Sequence, residues 1–388
     1  MSHVARNPLF DFPAQPLPPW RRAVLKVGSS LLAGFAAGDG GLDTRHARSL
    51  AQFVEGAYAT GREVVLVSSG AVAAGRARVA SGGDGLVLRQ ALAALGQAQL
   101  IGFWQMLFAR PVAQVLLSHD DLRDRRRYLN ARATLRELLR LGALPVINEN
   151  DTVAVDELKL GDNDNLAAAV ASLVDADLLL IATDIGGVYN ADPEHDARAM
   201  PQPHLVHITP AVLGMAGAAG HIGTGGMRSK LEAASKAALA GIPTALFCGR
   251  DAAVVSALSA DRLHGSLIER ADNTLSARKQ WLRHAPAAGQ LTVDAGAAAA
   301  LCAQGASLLP GGVVAVTGEF HRGDIIEVRD CAHAVPPLAR GLAQYNAGEV
   351  RRIAGHKSSE IERILGFRYG EAVIHRDDLV LLVHGAAP

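Results

Sequence analysis

Two lysines, two clusters of acid and amide side chains and one glycine-rich loop are the residues whose types and spacing could do chemistry. Lys26 stands in Lys26-Val27-Gly28-Ser29-Ser30, where a point charge and the N–H groups of a turn could meet a phosphate. A lysine that merely reaches out of a strand end fits the same residues. Ser68-Ser69-Gly70-Ala71-Val72-Ala73-Ala74-Gly75 would admit a substrate to the backbone at a helix N-terminus, a place that favours a carboxylate. A tight strand–helix turn packed on its neighbour is the better explanation of that run when it stands alone. Asn148-Glu149-Asn150-Asp151 and Gly161-Asp162-Asn163-Asp164-Asn165 are polar throughout after their first glycine or strand residue. Helix capping uses one residue of the second cluster; four in a row can also hold a polar substrate and orient lysines. Gly223-Thr224-Gly225-Gly226-Met227-Arg228-Ser229-Lys230 opens a helix, and its positive end suits a triphosphate, with Lys230 set to neutralise developing charge.

Lysines, a glycine-rich loop and acidic strand ends, with no His–Cys or His–Ser nucleophile, fit phosphoryl transfer, in which positioning and charge neutralisation dominate. A carboxylate acceptor, with an ordinary pKa of ~4.3, is already ionised at neutral pH and needs no general base. Other signals are weaker. The sequence has no GxxxxGK[ST], and no GxGxxG follows a strand. His375-Arg376-Asp377 mimics a kinase catalytic loop, but Leu382 stands where asparagine is required. His204 and His207 have HxxH spacing in a Pro-rich loop without a carboxylate ligand pattern. Arg125-Arg126-Arg127, flanked by Asp120, Asp121 and Asp124, reads as a solvated helix start. Arg351, Arg352, His356 and Lys357 form a basic patch without aromatic interleaving.

Short apolar runs must position these groups. Strands are expected at 23–27, 64–67, 112–117, 144–147, 178–182 and 244–247, alternating with helices at 46–60, 86–109, 128–141, 166–173 and 227–240. Near-continuous apolar strands between helices predict an α/β fold: an open, mainly parallel sheet sandwiched by helices. Most of these strands end in small polar or acidic residues, and ligands bind beyond the carboxyl ends of such strands. The 388 residues suggest two domains, and close-spaced strands after residue 285 predict a small β-rich domain at 288–384. The first domain spans 21–280. Residues 1–20, with five prolines, are expected to be a loosely attached tail.

Charge balances at 38 Lys+Arg against 38 Asp+Glu, which removes global attraction to phosphate polymers. Cys248, Cys302 and Cys331 form no CxxC pair, so neither a disulfide framework nor a zinc ribbon is expected. The run 166–182 is broken by Asp175 and Asp177 and cannot span a membrane. A soluble, cytoplasmic protein is expected. Forty glycines with 4% aromatics suit tight turns and close backbone approach to a ligand.

The ordered set VSSGAVAAG, PVINENDTVAV, KLGDNDNLAA, LLIATDIGGVYNADP and GTGGMRSKLEAA resembles the amino acid kinase family, and within it the branch acting on L-glutamate. The later GASLLPGGVVAVTGEFHRGD and YNAGEVRRIAGHKSSEIERILG look like a PUA domain. The resemblance runs from about Ala23 to Asp378. It implies transfer of the γ-phosphoryl of ATP, with Mg²⁺, to the side-chain carboxylate of glutamate, giving L-glutamyl 5-phosphate for proline biosynthesis. It also implies feedback inhibition by proline and a dimer or tetramer. By motif position, Lys26 and Lys230 would stabilise the transferring phosphoryl group and Asp164 would hold those lysines. Ser69, Asp151 and Asn163 would contact glutamate, while Lys26, Gly28, Thr183, Asp184, Thr224, Gly225, Gly226, Met227 and Lys230 would meet ATP. No protein metal ligand is assigned. Ser29 and Ser68 stand where relatives often carry threonine, and both keep the hydroxyl. Kinases of aspartate or acetylglutamate are the nearest alternatives; the NENDTVAV and GDNDN pair and the PUA-like region speak against them. PUA domains elsewhere bind RNA, but charge neutrality argues against strong non-specific binding, and intact Lys26, Asp164 and Lys230 argue against a purely RNA-binding protein.

Overall fold

A computed structural model describes residues 11–32, 41–79, 83, 85–153, 162–193, 195–196, 198–215, 226–271, 282, 286–331 and 337–382. The chain divides into two compact units, Met1–Arg123 with Thr134–Thr274, and Asp124–Ala133 with Leu275–Pro388.

Strands of the first unit are β1 (Gln15–Pro16), β2 (Arg22–Val27), β3 (Glu63–Ser68), β4 (Val112–Leu117), β5 (Leu144–Glu149), β6 (Leu178–Thr183), β7 (His204–Leu205), β8 (Thr244–Cys248), β9 (Arg262–Leu263) and β10 (Gly265–Ile268). Eight of them form one sheet in the order β4-β5-β3-β2-β6-β8-β10-β7. Neighbours run parallel except β10, which is antiparallel to β8. The mainly parallel, open sheet is as expected. β5, β6 and β8 are buried at every residue, and β2 and β3 at all but the first, which is why their sequences are continuous apolar runs rather than alternating ones. The chain builds outward from β2 on one side through β3 and β5, then returns to place β6 on the other. That reversal puts the carboxyl end of β2, and with it Lys26, at a topological switch point.

Helices in chain order are α1 (Ser29–Leu32), α2 (Thr44–Ala59), α3 (Ala71–Arg76), α4 (Leu86–Leu107), α5 (His119–Arg123), α6 (Arg125–Arg140), α7 (Asp162–Leu173), α8 (Pro210–Met215), α9 (Met227–Leu239) and α10 (Ala252–Leu258). Asp43 and Asp251 cap α2 and α10 by accepting backbone N–H groups. α4 is long and apolar enough to cross a membrane by length and composition, a property the sequence reading assigned to no segment. Its Leu100, Phe103 and Trp104 lie in the core with β2 and β3, while Leu86, Val87, Leu95 and Met106 of the same helix are exposed.

Residues 11–20 correct the expectation of a loose tail. Phe12, Leu17 and Trp20 are buried, β1 pairs with β9, and the Arg62 guanidinium lies 4.5 Å from the Trp20 ring centroid. Proline suits this segment because an edge strand leaves some N–H groups unpaired anyway; three large apolar side chains supply the burial. His204 also departs from expectation: it lies in β7 and its Nε2 is 2.8 Å from Glu269 Oε1, so it is an edge-strand residue rather than part of a loop.

The second unit has β11 (Gly289–Val293), β12 (Val313–Gly318), β13 (Ile325–Asp330), β14 (Ala339–Leu342) and β15 (Leu379–Leu381), ordered β12-β11-β13-β14-β15. α11 (Ala295–Gln304), α12 (Ala347–Ile353) and α13 (Ile361–Leu365) accompany them. Leu291, Val328, Tyr345, Val350 and Ile374 are among its buried core, and Asn346 with Glu349 forms a capping box on α12. The unit is β-rich, but the expected boundary omits part of it. Residues 124–133, the first turns of α6, belong here. Leu129 is buried, and Arg132 forms a fully buried ion pair with Asp378. Within the arginine run, Arg126 and Arg127 are exposed as expected. Arg125 is not, and burial pulls its guanidinium down to about 10. In the basic patch, Arg351 pairs with Glu319 at 2.7 Å and Arg352 donates to the Ile364 carbonyl.

Candidate active site

Carboxyl ends of β2, β3, β5, β6 and β8 lie along one rim of the sheet, since all five run parallel. At β2, Lys26 is 4% exposed, and its Nζ lies 2.6 Å from Asp164 Oδ1. Lys230, in the first turn of α9, places its Nζ 3.4 Å from the other oxygen of the same carboxylate. Asp164 sits in the first turn of α7 with no exposed surface. Two buried ammonium groups thus share one buried carboxylate. Burial alone would raise the Asp164 pKa, but the two lysines outweigh it and hold the carboxyl below its ordinary value. Lys230 moves the opposite way for a lysine with a partner. Burial lowers its pKa first, Asp164 opposes that, and the Lys26 charge adds to the lowering.

The hydroxyl of Ser229 is a component the motif reading left without a role. Its Oγ lies 2.7 Å from Asp164 Oδ2 and 2.8 Å from the Gly226 carbonyl, a donor to either. It therefore ties the carboxylate to the turn that starts α9. Ser229→Ala should lower turnover about tenfold or more, because a hydrogen bond to a charged group contributes ~1.5–3 kcal/mol. Ser229→Thr should restore it, and steady-state turnover in the two variants decides; wild-type turnover in Ser229→Ala would show that the hydroxyl does not hold Asp164.

Next to this centre, Thr183 ends β6 and donates its hydroxyl to Asp184 Oδ1 at 3.1 Å. Asp184 also faces Arg250 at 3.7 Å, and its charge reaches Lys230. A Cβ on Gly28 would touch Lys26 Nζ at 3.6 Å, which sets Gly28 against the lysine head. Gly226 and Met227 form the N-cap and first residue of α9. Thr224, Gly225 and Gly161 lie outside the described residues.

A second polar group lies at β3 and β5. Asn163 Nδ2 donates to Ser69 Oγ at 2.9 Å and to Asn148 Oδ1 at 3.1 Å. Ser68, buried beneath, accepts from Trp104 Nε1 at 2.8 Å and donates to the Ser69 carbonyl at 3.0 Å, fixing the turn. Gly70 then adopts φ +118°, a conformation costly for any side chain, and lets α3 start at once. Asp151 follows β5 in the turn at 151–153, at the same sheet end. Lys26, Asp164 and Lys230 therefore converge directly, as do Ser69 and Asn163, with α7 carrying one member of each group. Gly75 resolves the open reading of its motif toward packing: a Cβ there would come within 1.9 Å of the Leu92 carbonyl oxygen.

Comparison with known proteins agrees with this architecture. The family model described as the amino acid kinase family matches residues 21–248, and that of the PUA domain matches residues 289–365. The chain belongs to the amino acid kinase family. Its curated relatives include the glutamate 5-kinase of Xylella fastidiosa (strain M23), 61% identical over 96% of this chain and 98% of the relative. The glutamate 5-kinase of Xanthomonas axonopodis pv. citri (strain 306) is 63% identical over 92% of this chain and its own full length. A solved structure of UMP kinase from Bacillus anthracis matches 65% of the chain and 97% of its own with a TM-score of 0.45 at 17% identity.

Proposed function

We infer that the chain catalyses ATP-dependent phosphorylation of the side-chain carboxylate of L-glutamate, the first step of proline biosynthesis. The observation that carries the chemistry is the buried Lys26–Asp164–Lys230 arrangement at the strand ends; the glutamate 5-kinase relatives supply the substrate. Bringing a glutamate carboxylate against a triphosphate is opposed by like charge. Two ammonium groups with one carboxylate leave a local excess of one positive charge, held without reorganisation when the phosphoryl group passes. Asp164 aims both lysines, and its charge opposes the lowering that burial imposes on Lys230. In the transfer, an oxygen of the glutamate carboxylate forms a bond to the γ-phosphorus as the bond to the β–γ bridging oxygen breaks. ADP leaves with that electron pair, and no proton moves.

In this reading Lys26 and Lys230 stabilise the transferring group, and Ser69, Asp151 and Asn163 bind glutamate. Gly28, Thr183, Asp184 and the 224–230 turn receive the nucleotide, with the N-terminus of α9 favouring its phosphates. Mg²⁺ belongs to the nucleotide. Among the described residues no three His, Cys, Asp or Glu side chains are grouped to hold a metal, and Asp164 is already engaged by two lysines and a serine. A cation that keeps its waters and rides on substrate phosphates fits that donor set. Feedback inhibition by proline, a dimeric or tetrameric assembly and a cytoplasmic location are further proposals, supported by the family resemblance. The paired Arg351 and Arg352 give no support to nucleic-acid binding by the second unit.

Incubation with ATP and glutamate should yield an acyl phosphate trapped by hydroxylamine as the hydroxamate, with aspartate and acetylglutamate giving none. Folded protein that makes hydroxamate with either control and none with glutamate would overturn the assignment.

A further inference from the structure

Gln97 belongs to none of the sequence motifs, yet the fold brings it to the Ser69–Asn163 group. It follows Gly96 on α4, at the point where α4 meets α3 backbone to backbone. A Cβ on Gly96 would lie 1.9 Å from the Ala71 carbonyl oxygen and 2.4 Å from the Gly75 nitrogen. Because α3 begins directly after Ser69 and Gly70, this crossing holds the α4 backbone beside Gln97 close to the start of α3, while the Gln97 Nε2 is buried with no hydrogen-bond partner.

Three carboxamides and a hydroxyl then form one directed chain. Asn148 Nδ2 donates to Gln97 Oε1 at 3.0 Å. Asn163 Nδ2 donates to Asn148 Oδ1 at 3.1 Å and to Ser69 Oγ at 2.9 Å. A carboxamide has a donor end and an acceptor end, so setting one amide sets its neighbour. With its amide turned toward Gln97, Asn148 presents its oxygen to Asn163. The Asn163 amide is then used within the protein, and its Oδ1 is a buried acceptor with no hydrogen-bond partner. A buried acceptor of this kind is costly until a donor reaches it, and an ammonium group supplies only donors.

We propose that Gln97 is a positioning residue for the amino acid substrate: it sets the orientation of Asn148 and thereby presents Asn163 Oδ1 to the substrate's α-ammonium group. The proposal rests on the reading of Asn163 as a glutamate contact. Without the Gln97 acceptor, Asn148 is free to turn its amide toward Asn163. Asn163 must then answer with its oxygen and turn its own amide, a donor, toward another donor.

The test is a double-mutant cycle on the full-length enzyme. Gln97→Met keeps the volume and removes the acceptor; it should raise the glutamate KM on the order of tenfold, the scale of one mispaired buried polar group, with the ATP KM and turnover little changed. Asn148→Asp replaces the amide by a carboxylate, which offers Asn163 an acceptor in either orientation. In that background Gln97→Met should add nothing to the glutamate KM. An unchanged glutamate KM in the single variant, a parallel rise in the ATP KM, or an undiminished penalty in the Asn148→Asp background overturns the proposal. Asn163→Ala separates the two levels. If it leaves the glutamate KM unchanged, the parent reading fails and the proposal with it; if it raises that KM while Gln97→Met does not, the proposal alone fails.

Discussion

Asp164→Ala is expected to reduce turnover by ~100-fold or more, the scale of losing a preorganised group that stabilises transition-state charge. The substitution removes the carboxylate whose oxygens lie 2.6 and 3.4 Å from the buried Lys26 and Lys230 ammonium groups. Lys230 already sits below its ordinary pKa through burial; with Asp164 gone, the Asp184 charge is left to oppose burial and the Lys26 charge, and the Lys230 proton is lost more readily. Catalysis then lacks the charge that offsets two approaching anions. Stability falls too, by about 3–5 kcal/mol, because removing one partner of a buried pair strands the other. The pH dependence has a definite sign. Asp164 has a lower pKa folded than unfolded, so its contribution is present above the unfolded value of ~3.9 and disappears as pH falls through the folded one. Turnover together with melting curves across acid pH checks this. Asp164→Asn separates charge from shape, and a turnover within tenfold of wild type in either variant would remove Asp164 from its role.

A loss of about 3–5 kcal/mol is also expected from Asp378→Ala, here confined to stability. Asp378 and Arg132 are both almost fully buried and paired, and Gln344 Nε2 donates to the second carboxylate oxygen at 3.2 Å. Truncation takes away the carboxylate paired with a buried guanidinium. Replacing both partners, Arg132→Met with Asp378→Leu, should recover most of the loss, because packed apolar groups of similar volume replace a buried ion pair at little cost. Denaturant midpoints of the single and double variants decide the matter. A single-variant loss under about 1 kcal/mol, the worth of an exposed pair, would mean that the charges reach water.

The β-strands were legible because burial on both faces leaves only apolar residues to choose from. β2, β3, β5, β6 and β8 each begin and end within two residues of the expected spans. The charged centre was legible for a related reason. Lys26, Asp164 and Lys230 each sit at the join between an apolar run and a polar turn, where a charged side chain has no local purpose. Residues 11–20 were misread because proline content describes the backbone alone, whereas Phe12, Leu17 and Trp20 decide whether the segment packs. Ser229 lay in view within its loop, but a hydroxyl beside a lysine has no distinctive spacing. Gln97 carried no signal at all. Its placement follows from the Gly75–Gly96 crossing, and that crossing brings together residues 21 positions apart on two helices.

The membership of residues 124–133 in the second unit has a consequence for cutting and grafting. A polypeptide begun at residue 275 would look whole in sequence, with every strand from β11 to β15. It would nonetheless lack Leu129 from its interior and the guanidinium that answers Asp378. Gly323, held at φ +94° with Arg125 and Leu129 filling the place a Cβ would take, would lose both neighbours. This module is thus portable only with a loan of about two and a half helical turns encoded some 150 residues upstream of its own first residue.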